Sequence, residues 1–199
     1  MYGHYSALIF DMDGTLVDSG QLHELAWRAT LERYGIPLDA PLMRSLAGVP
    51  TIGTLEHLIG HFGCRVDTPL EAMNSFKEAF VREHMARHVK ATALAGVVRQ
   101  YHGATPMAVG TGAYTGEARQ ILALCGLDGY FDHVVGADQV RHPKPAPDTF
   151  LRCAELLGAA PARCVVFEDS ALGLQAAASA GMAGVDVLAV HGVENDYFR

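Results

Sequence analysis

The chain has 199 residues, of which 50% are hydrophobic and 19% are charged. This composition excludes a disordered chain, and the length holds one sizeable core with room for a small inserted domain. A net charge of -7 without any run of Lys or Arg argues against nucleic acid or an anionic membrane as a partner. Because the sequence shows neither a signal peptide nor an apolar stretch of membrane-spanning length, we expect a cytoplasmic protein.

The first predicted element is a strand, Ala7 to Phe10, whose unbroken apolar run is typical of a strand buried on both faces. Similar runs begin at Met107, Val165 and Val185. Helical stretches that end in glycine lie between them, over residues 117–124, 148–157 and 172–180. This alternation predicts an α/β fold with a doubly wound, mostly parallel sheet.

Residues 21–90 interrupt this alternation, because they offer helical stretches over 22–34, 54–61 and 70–88 but no convincing strand. We therefore expect a small all-helical domain over residues 18–90, inserted after the first strand. The α/β domain would consist of residues 1–17 and 91–199.

Two histidine pairs of the inserted segment, His57 with His61 and His84 with His88, have the spacing that places both rings on one helix face. No third ligand accompanies either pair, so solvated helix faces are favoured over a transition-metal site. Four widely spaced cysteines without a C-x-x-C pair predict reduced thiols. They are Cys64, Cys125, Cys153 and Cys164.

The first strand leads into the motif D-x-D-G, which contains Asp11, Asp13 and Gly14. Ligands collect beyond the carboxyl ends of parallel strands, and side chains two residues apart in extended chain point to the same side. Like charges in this arrangement favour a cation beside them. An Asp-Gly turn that the second Asp caps is the alternative interpretation.

Polar residues also follow two later strands. Thr111 and Gly112 offer a hydroxyl and close backbone approach to an oxyanion, although the glycine spacing does not fit a dinucleotide fingerprint. Asp169, after Glu168, could bind Mg²⁺ together with Asp11, because this ion prefers hard carboxylate oxygens. Glu168 and Asp169 could instead be the N-cap and first turn of the following helix.

Lys144 lies between two prolines, just before a predicted helix. The prolines restrict the backbone and hence the positions that the ammonium group can reach. A solvated lysine is the default for such a loop. The acidic residues elsewhere in the sequence favour a place for Lys144 in the same site.

Taken in order, Asp11-x-Asp13-Gly14-Thr15, Thr111-Gly112, Lys144 and Glu168-Asp169 resemble the four motifs of the haloacid dehalogenase superfamily of phosphatases. The helical insertion resembles the cap of the β-phosphoglucomutase-like branch. Residues 102–186 are especially similar to bacterial fructose-1-phosphate phosphatases.

The resemblance implies a Mg²⁺-dependent phosphatase that hydrolyses a small phosphomonoester, such as a sugar phosphate, through an aspartyl phosphate. Asp11 would be the nucleophile, and Asp13 would act as general acid and then as general base. The metal would be held by Asp11, the backbone carbonyl of Asp13 and Asp169, with Glu168 beside it. No other partner than the substrate is implied, and the chain could be a monomer or a small homo-oligomer.

The same resemblance assigns the phosphate group to a set of donors around the nucleophile. Thr111 and Lys144 would neutralise the equatorial oxygens, with Gly14 and Gly112 allowing close approach. His23, on the first helix of the insertion, matches a histidine that contacts the active site in the mutases. An exposed helix histidine is the alternative interpretation of His23.

Two other functions stay open at this point: a β-phosphoglucomutase-type sugar phosphomutase and a non-catalytic protein that binds phosphorylated metabolites. The mutase pattern has an arginine shortly after a Gly-Val pair, where this chain has Thr51 after Gly48-Val49. Without that guanidinium the second phosphate of a bisphosphate lacks a bidentate anchor, although Arg44 could replace it. Hydrolysis is therefore favoured over phosphoryl transfer to a sugar.

Overall fold

A computed structural model of the protein describes residues 1–194 and 197–198. These residues form two compact units. An α/β unit contains Met1–Asp18 and the chain from Val89 to residue 194, and a helical unit contains Ser19–His88 with Tyr197 and Phe198. Among all the residues that the structure describes, none of the helices combines the length and the hydropathy of a membrane-spanning segment.

The α/β unit is built on a parallel sheet. Over the described residues, the strands in chain order are β1 (Ala7–Phe10), β2 (Val17–Asp18), β3 (Lys90–Ala91), β4 (Met107–Gly110), β5 (His133–Val135), β6 (Cys164–Glu168) and β7 (Ala183–Asp186). Five of these form one sheet in the order β5-β4-β1-β6-β7, and each strand is parallel to its neighbours. The short strands β2 and β3 pair antiparallel with each other.

Helices separate the strands and also form the second unit. Over the same residues they are α1 (Gly20–Tyr34), α2 (Ala40–Ser45), α3 (Thr51–Phe62), α4 (Leu70–His88), α5 (Ala95–Tyr101), α6 (Thr115–Leu124), α7 (Asp148–Leu156), α8 (Ala171–Ser179) and α9 (Val187–His191). The helical unit contains α1 to α4, and the α/β unit contains α5 to α9. Three short 3-10 turns, Asp128–Tyr130, Ala137–Gln139 and Pro161–Arg163, complete the described elements.

The register of the sheet determines where the site lies. Phe10 in β1 pairs with Val109 in β4 on one side and with Phe167 in β6 on the other. The residues that directly follow these three positions therefore reach the same edge of the sheet. The chain runs from β1 to one side of the sheet and later returns to its other side, so this edge is a topological switch point where ligands bind.

Burial explains why the central strands carry unbroken apolar runs. Every residue of β1 and β6 is buried, as expected for parallel strands that helices cover on both faces. One core cluster packs the apolar face of α7, with Phe150 and Cys153, against Ile9 and Val166 of the sheet. The helical unit has a separate cluster around Trp27 and Leu31.

The predicted α/β class with a doubly wound parallel sheet is confirmed, but one predicted strand is wrong in part. Residues 185–188 were expected to be extended, whereas β7 ends at Asp186 and α9 begins at Val187. The Asp186 carboxylate accepts hydrogen bonds from the backbone N–H groups of Leu188 and Ala189 and so caps the helix. Strand β5 was not predicted, because its three residues are too few for a clear periodic signal.

The C-terminal end also departs from the predicted domain boundaries, which assigned residues 91–199 to the α/β domain. Phe198 is fully buried among apolar residues of the helical unit, including Trp27 and Leu55. Burying this ring removes a large apolar surface from water, which accounts for its place in that unit.

Candidate active site

The site centres on Asp11, which directly follows β1. The backbone N–H of Asp11 donates to the carbonyl of Phe167 at 2.9 Å, so the pairing of β1 with β6 continues to this residue. Asp11 is a buried acid, with an exposed fraction of 7%. Burial of a carboxylate requires charged or hydrogen-bonding partners, and two later segments of the chain supply them.

A tight turn carries the rest of the first motif. Gly14 has a φ of 79°, a left-handed conformation that favours glycine. Its N–H donates to the carbonyl of Val17 at 2.8 Å, and the carbonyl of Met12 accepts from Leu16 and Val17 at 2.9 Å each. Asp13 is therefore held in a closed turn directly after the strand, as the alternative turn interpretation expected. The turn and a role in catalysis are compatible.

Lys144 makes the decisive contact with Asp11. The Lys144 Nζ lies 2.6 Å from Asp11 Oδ1 and 2.7 Å from Glu168 Oε1, and it donates to both carboxylates. The ammonium also lies 4.7 Å from the centroid of the Phe150 ring, which presents its face to the cation. Lys144 is thus an ion-pair partner whose side chain is largely buried, and the default of a solvated loop lysine does not apply.

Glu168 is the last residue of β6, and both of its carboxylate oxygens have partners. Oε1 accepts from Lys144, and Oε2 accepts from the backbone N–H and the hydroxyl of Ser170, each at 2.8 Å. The Ser170 hydroxyl oxygen in turn accepts from the N–H of Gly173 at 3.0 Å. Ser170 is consequently the N-cap of α8, which corrects the alternative that gave this role to Glu168 and Asp169.

Asp169 extends the acidic cluster. Carboxylate oxygens of Asp11, Glu168 and Asp169 all lie within 4.8 Å of one another. The hydroxyl of Thr15 donates to Asp169 Oδ1 at 3.4 Å and so connects the two acidic motifs. Thr15 belongs to the first motif, and its position makes it a hydrogen-bond donor to Asp169.

Burial and crowding shift the ionisation of the central pair. Burial raises the pKa of the Asp11 carboxyl well above its usual range, the Lys144 ammonium opposes that shift, and the charges of Glu168 and Asp169 add to it. Burial alone would lower the pKa of Lys144. The charges of Asp11 and Glu168 outweigh it and raise this pKa above its usual value.

The donor set fits a hard divalent cation. Three carboxylates lie close together here, and the Lys144 ammonium contacts those of Asp11 and Glu168. Mg²⁺ binds through one or two carboxylates, with water and phosphate oxygens completing its octahedron. A cation beside Asp11 and Asp169 would also lower the pKa of Asp11 and favour its ionised form.

The proposed phosphate donors lie after β4. Thr111 is buried, with its N–H donating to the carbonyl of Val135 at 3.0 Å and its hydroxyl accepting from the N–H of Ala113 at 3.1 Å. Gly112 is exposed in the same loop. The sheet order places this loop next to the segment after β1. The expected role of Thr111 and Gly112 in phosphate binding stays a prediction.

His23 lies on α1 in the helical unit, and its expected contact with the site stays a prediction. Ser170 and Gly173 were not predicted as site residues, because their roles depend on where the Glu168 carboxylate lies. A serine followed by an apolar helical stretch is a recognisable N-cap signal, and it could have identified Ser170. No comparable local signal identifies Gly173.

Comparison with known proteins gives a consistent assignment. A family profile for haloacid dehalogenase-like hydrolases matches residues 5–181. The chain is 46% identical over 187 residues to the fructose-1-phosphate phosphatase YqaB of Escherichia coli strain K12, covering 94% of this chain and 98% of that protein. It is 29% identical over 187 residues to the β-phosphoglucomutase of Bacillus subtilis strain 168, covering 91% and 82% respectively.

Solved structures agree on the fold. A crystal structure of β-phosphoglucomutase from Clostridium difficile matches with a TM-score of 0.79 at 22% identity, covering 90% of this chain and 83% of that chain. The resemblance that the four motifs predict is confirmed by the family match. The chain therefore belongs to the haloacid dehalogenase-like hydrolase family.

Proposed function

We propose that the protein is a Mg²⁺-dependent phosphatase that hydrolyses a small sugar phosphate, with fructose 1-phosphate as the first candidate, through a phosphorylated Asp11. That the chain is a phosphoric monoester hydrolase follows from the family match and from its 46% identity to a phosphatase. The observation that carries the proposal is the buried contact of 2.6 Å between Asp11 and Lys144 beside two further carboxylates.

Asp11 would attack the phosphorus atom, because this acid directly follows β1 and the Lys144 ammonium group lies beside its carboxylate. Lys144 binds Oδ1 and so fixes the orientation of the carboxylate. The same ammonium would neutralise charge on the transferring phosphoryl group, where phosphoryl transfer develops negative charge. Glu168 holds Lys144 in place through its second hydrogen bond.

Asp13 would donate a proton to the leaving alkoxide and later accept one from the hydrolytic water. Its position two residues after Asp11 in a closed turn supports this role, since the turn brings both residues to the end of β1. An acid at this position serves an oxygen leaving group, so it favours phosphate esters over carbon-halogen substrates.

We assign the metal to the carboxylates of Asp11 and Asp169 and the backbone carbonyl of Asp13. When bound, Mg²⁺ would supply positive charge to the nucleophile and to the phosphate oxygens. Glu168, which was expected beside the metal, has both oxygens engaged by Lys144 and Ser170. We therefore give Glu168 the role of holding Lys144 and not that of a direct ligand.

The competing function is transfer of the phosphoryl group to a sugar, which the similarity to a β-phosphoglucomutase favours. The arginine that could replace the missing mutase residue is Arg44, and its guanidinium donates to the backbone carbonyl of Phe198. This contact supports hydrolysis, because an arginine held by a carbonyl is less suited to anchor a second phosphate. A non-catalytic binding protein would not need the complete set of acidic residues.

A panel of phosphate esters tests the proposal directly. Fructose 1-phosphate, fructose 6-phosphate, β-glucose 1-phosphate and glycerol 3-phosphate would each be incubated with the enzyme and Mg²⁺, and released phosphate measured. We expect release from a sugar phosphate that stops in excess chelator and returns with Mg²⁺. No release from any ester under these conditions would contradict the phosphatase assignment.

A second experiment distinguishes hydrolysis from transfer of the phosphoryl group to another position of the sugar. The enzyme would receive β-glucose 1-phosphate with a trace of glucose 1,6-bisphosphate. A phosphatase releases phosphate without need of the bisphosphate. Glucose 6-phosphate accumulating faster than free phosphate would establish the mutase instead.

We place the reaction in the cytoplasm, which the four free cysteines support because reducing compartments keep thiols unpaired.

A further inference from the structure

Two loops at the carboxyl edge of the sheet are connected by a dense set of hydrogen bonds. One loop follows β4 over residues 111–115, the last of which begins α6, and the other, residues 136–139, follows β5. Asp138 Oδ1 accepts from the backbone N–H of Thr115 at 2.7 Å and from its hydroxyl at 2.8 Å. The Thr115 hydroxyl oxygen also accepts from the N–H of Gly136 at 3.2 Å and from Gln139 Nε2 at 2.7 Å.

The backbone of the two loops is equally close. The N–H of Ala137 donates to the carbonyl of Ala113 at 2.9 Å. A Cβ atom built on Gly136 would lie 2.4 Å from the backbone nitrogen of Thr115 and 2.7 Å from the carbonyl oxygen of Ala113. Because these neighbours are backbone atoms that cannot move independently, the loops meet only when residue 136 has no side chain.

Asp138 replaces a missing local cap. Tyr114 occupies the N-cap position of α6 and its side chain makes no capping hydrogen bond. The first N–H groups of a helix need acceptors, and a carboxylate near them is stabilised by the helix dipole. Asp138 supplies this acceptor from a different loop. The hydrogen bonds from Thr115 lower the pKa of Asp138, which indicates that they favour its ionised form.

We propose that Asp138 is a positioning residue for phosphate binding: it holds Thr115 so that residues 111–113 keep the conformation that receives the phosphoryl group. The proposal rests on the proposed function, which assigns Thr111 and Gly112 to the phosphate. Thr111 lies between two fixed points, since its N–H binds Val135 and its hydroxyl binds the N–H of Ala113. The contact of Asp138 with Thr115 fixes the far end of this loop.

The exposure of Asp138 distinguishes a positioning role from a role in stabilising the fold. Its side chain is exposed and adds no apolar packing to the core, so its removal should disturb the loop more than the fold. A hydrogen bond to a charged acceptor is stronger than a neutral one, and its loss would let residues 112–115 sample other conformations. Substrate and phosphate affinity should fall, while the chemistry at Asp11 should change little once substrate is bound.

The test compares Asp138→Ala with Asp138→Asn, whose amide oxygen can still accept from Thr115. Asp128→Ala is the matched control, because Asp128 is a half-exposed acid whose ion pair with Arg119, at 3.4 Å, also involves α6. Four quantities would be measured: amide hydrogen exchange over residues 111–115, the dissociation constant of inorganic phosphate by calorimetry, and KM and kcat for the best ester of the panel. The thermal midpoint of each variant checks that it is folded.

For Asp138→Ala we expect faster exchange over residues 111–115, and KM and the phosphate dissociation constant raised on the order of 10-fold. The value of kcat should fall by less than about 3-fold, since the reacting groups are untouched. Asp138→Asn should recover part of the affinity, and Asp128→Ala should match the wild type.

Two results would overturn the positioning role: unchanged exchange in Asp138→Ala, or faster exchange with unchanged KM and phosphate affinity. If the wild type hydrolyses no ester, the proposed function fails, while exchange and phosphate affinity still decide the role of Asp138.

Discussion

Gly173 leaves the space that the Glu168 carboxylate occupies, because it has no side chain. A Cβ atom at this position would lie 1.8 Å from Glu168 Oε1, the oxygen that accepts from Lys144. The carboxylate cannot simply turn away, because Oε2 is held by the backbone and hydroxyl of Ser170. A side chain at residue 173 would therefore separate Glu168 from Lys144 and leave buried charges without partners.

We predict that Gly173→Ala lowers kcat/KM on the order of 100-fold, because displaced reacting groups lose the geometry that catalysis needs. Stability should also fall by about 1–3 kcal/mol, as expected for overpacking. Gly96→Ala is the control, since Gly96 also lies in a helix but a Cβ there meets nothing within 4 Å. Phosphate release and urea unfolding of both variants test this, and equal activity would contradict the assigned role of Gly173.

At this scale the sequence predicted the charged residues better than the residues that orient them. Asp11 was identified because paired acids directly after an apolar strand are unusual enough to indicate chemistry. Lys144 was identified because the acidic residues of the other motifs outweighed the default of a solvated loop lysine. Ser170 and Gly173 act through the position of Glu168, and that position depends on the packing of α8 against β6. Residue types alone do not reveal it.

The last described residues, Tyr197 and Phe198, pack into the core of the helical unit. The backbone N–H of Phe198 donates to Glu24 Oε2 at 3.1 Å, and the Arg28 guanidinium lies 5.7 Å from the centroid of the Phe198 ring. The ring itself is fully buried in the cluster that contains Trp27. This segment therefore completes the core of a unit whose other residues precede it by more than a hundred positions.

We predict that Phe198→Ala destabilises the helical unit by about 3–5 kcal/mol, the usual cost of removing a buried phenylalanine ring. Trp27 is the only tryptophan of the chain and packs in the same cluster, so its fluorescence during urea unfolding reports on this unit. Leu124→Ala, at an exposed position of α6, should leave the transition unchanged. An unfolding free energy within about 0.5 kcal/mol of the wild type would refute the role of Phe198.

The elements that the sequence predicted carry either an unbroken apolar run or a long periodic stretch whose ends have clear signals. The helix expected over residues 70–88 has the bounds of α4, while α2 and β5, with six and three residues, were missed. Short elements contain too few residues to show a periodic spacing of apolar side chains. The place of Phe198 was missed for another reason, because one apolar residue does not indicate which of two cores it enters.

At the scale of the whole molecule, the acidic cluster couples stability to the metal. Crowded carboxylates destabilise the folded state when no cation is present, whereas a ligand that binds only the folded state stabilises it. We predict that Mg²⁺ raises the thermal midpoint of the wild type, by an amount equivalent to about 2.7 kcal/mol at a hundredfold excess over Kd. Calcium, with longer bonds and higher coordination number, should bind without supporting turnover.

Asp169→Asn is the variant that checks this prediction, and it should raise the stability of the metal-free protein because it removes one of the like charges. The same variant should lose most of the stabilisation by Mg²⁺. Thermal unfolding with and without Mg²⁺ measures both effects. An identical response to Mg²⁺ in the wild type and in Asp169→Asn would mean that the ion binds elsewhere.

The most direct test of the central claim is to locate the phosphoryl group during turnover. The enzyme would be mixed with Mg²⁺ and the best ester of the panel, quenched in acid within its first turnovers, digested and analysed by mass spectrometry. We predict a base-labile phosphoryl adduct on Asp11, and neither adduct nor phosphate release in Asp11→Asn, because an amide is a poor nucleophile. An adduct on another residue, or near-normal phosphate release by Asp11→Asn, would contradict the proposed mechanism.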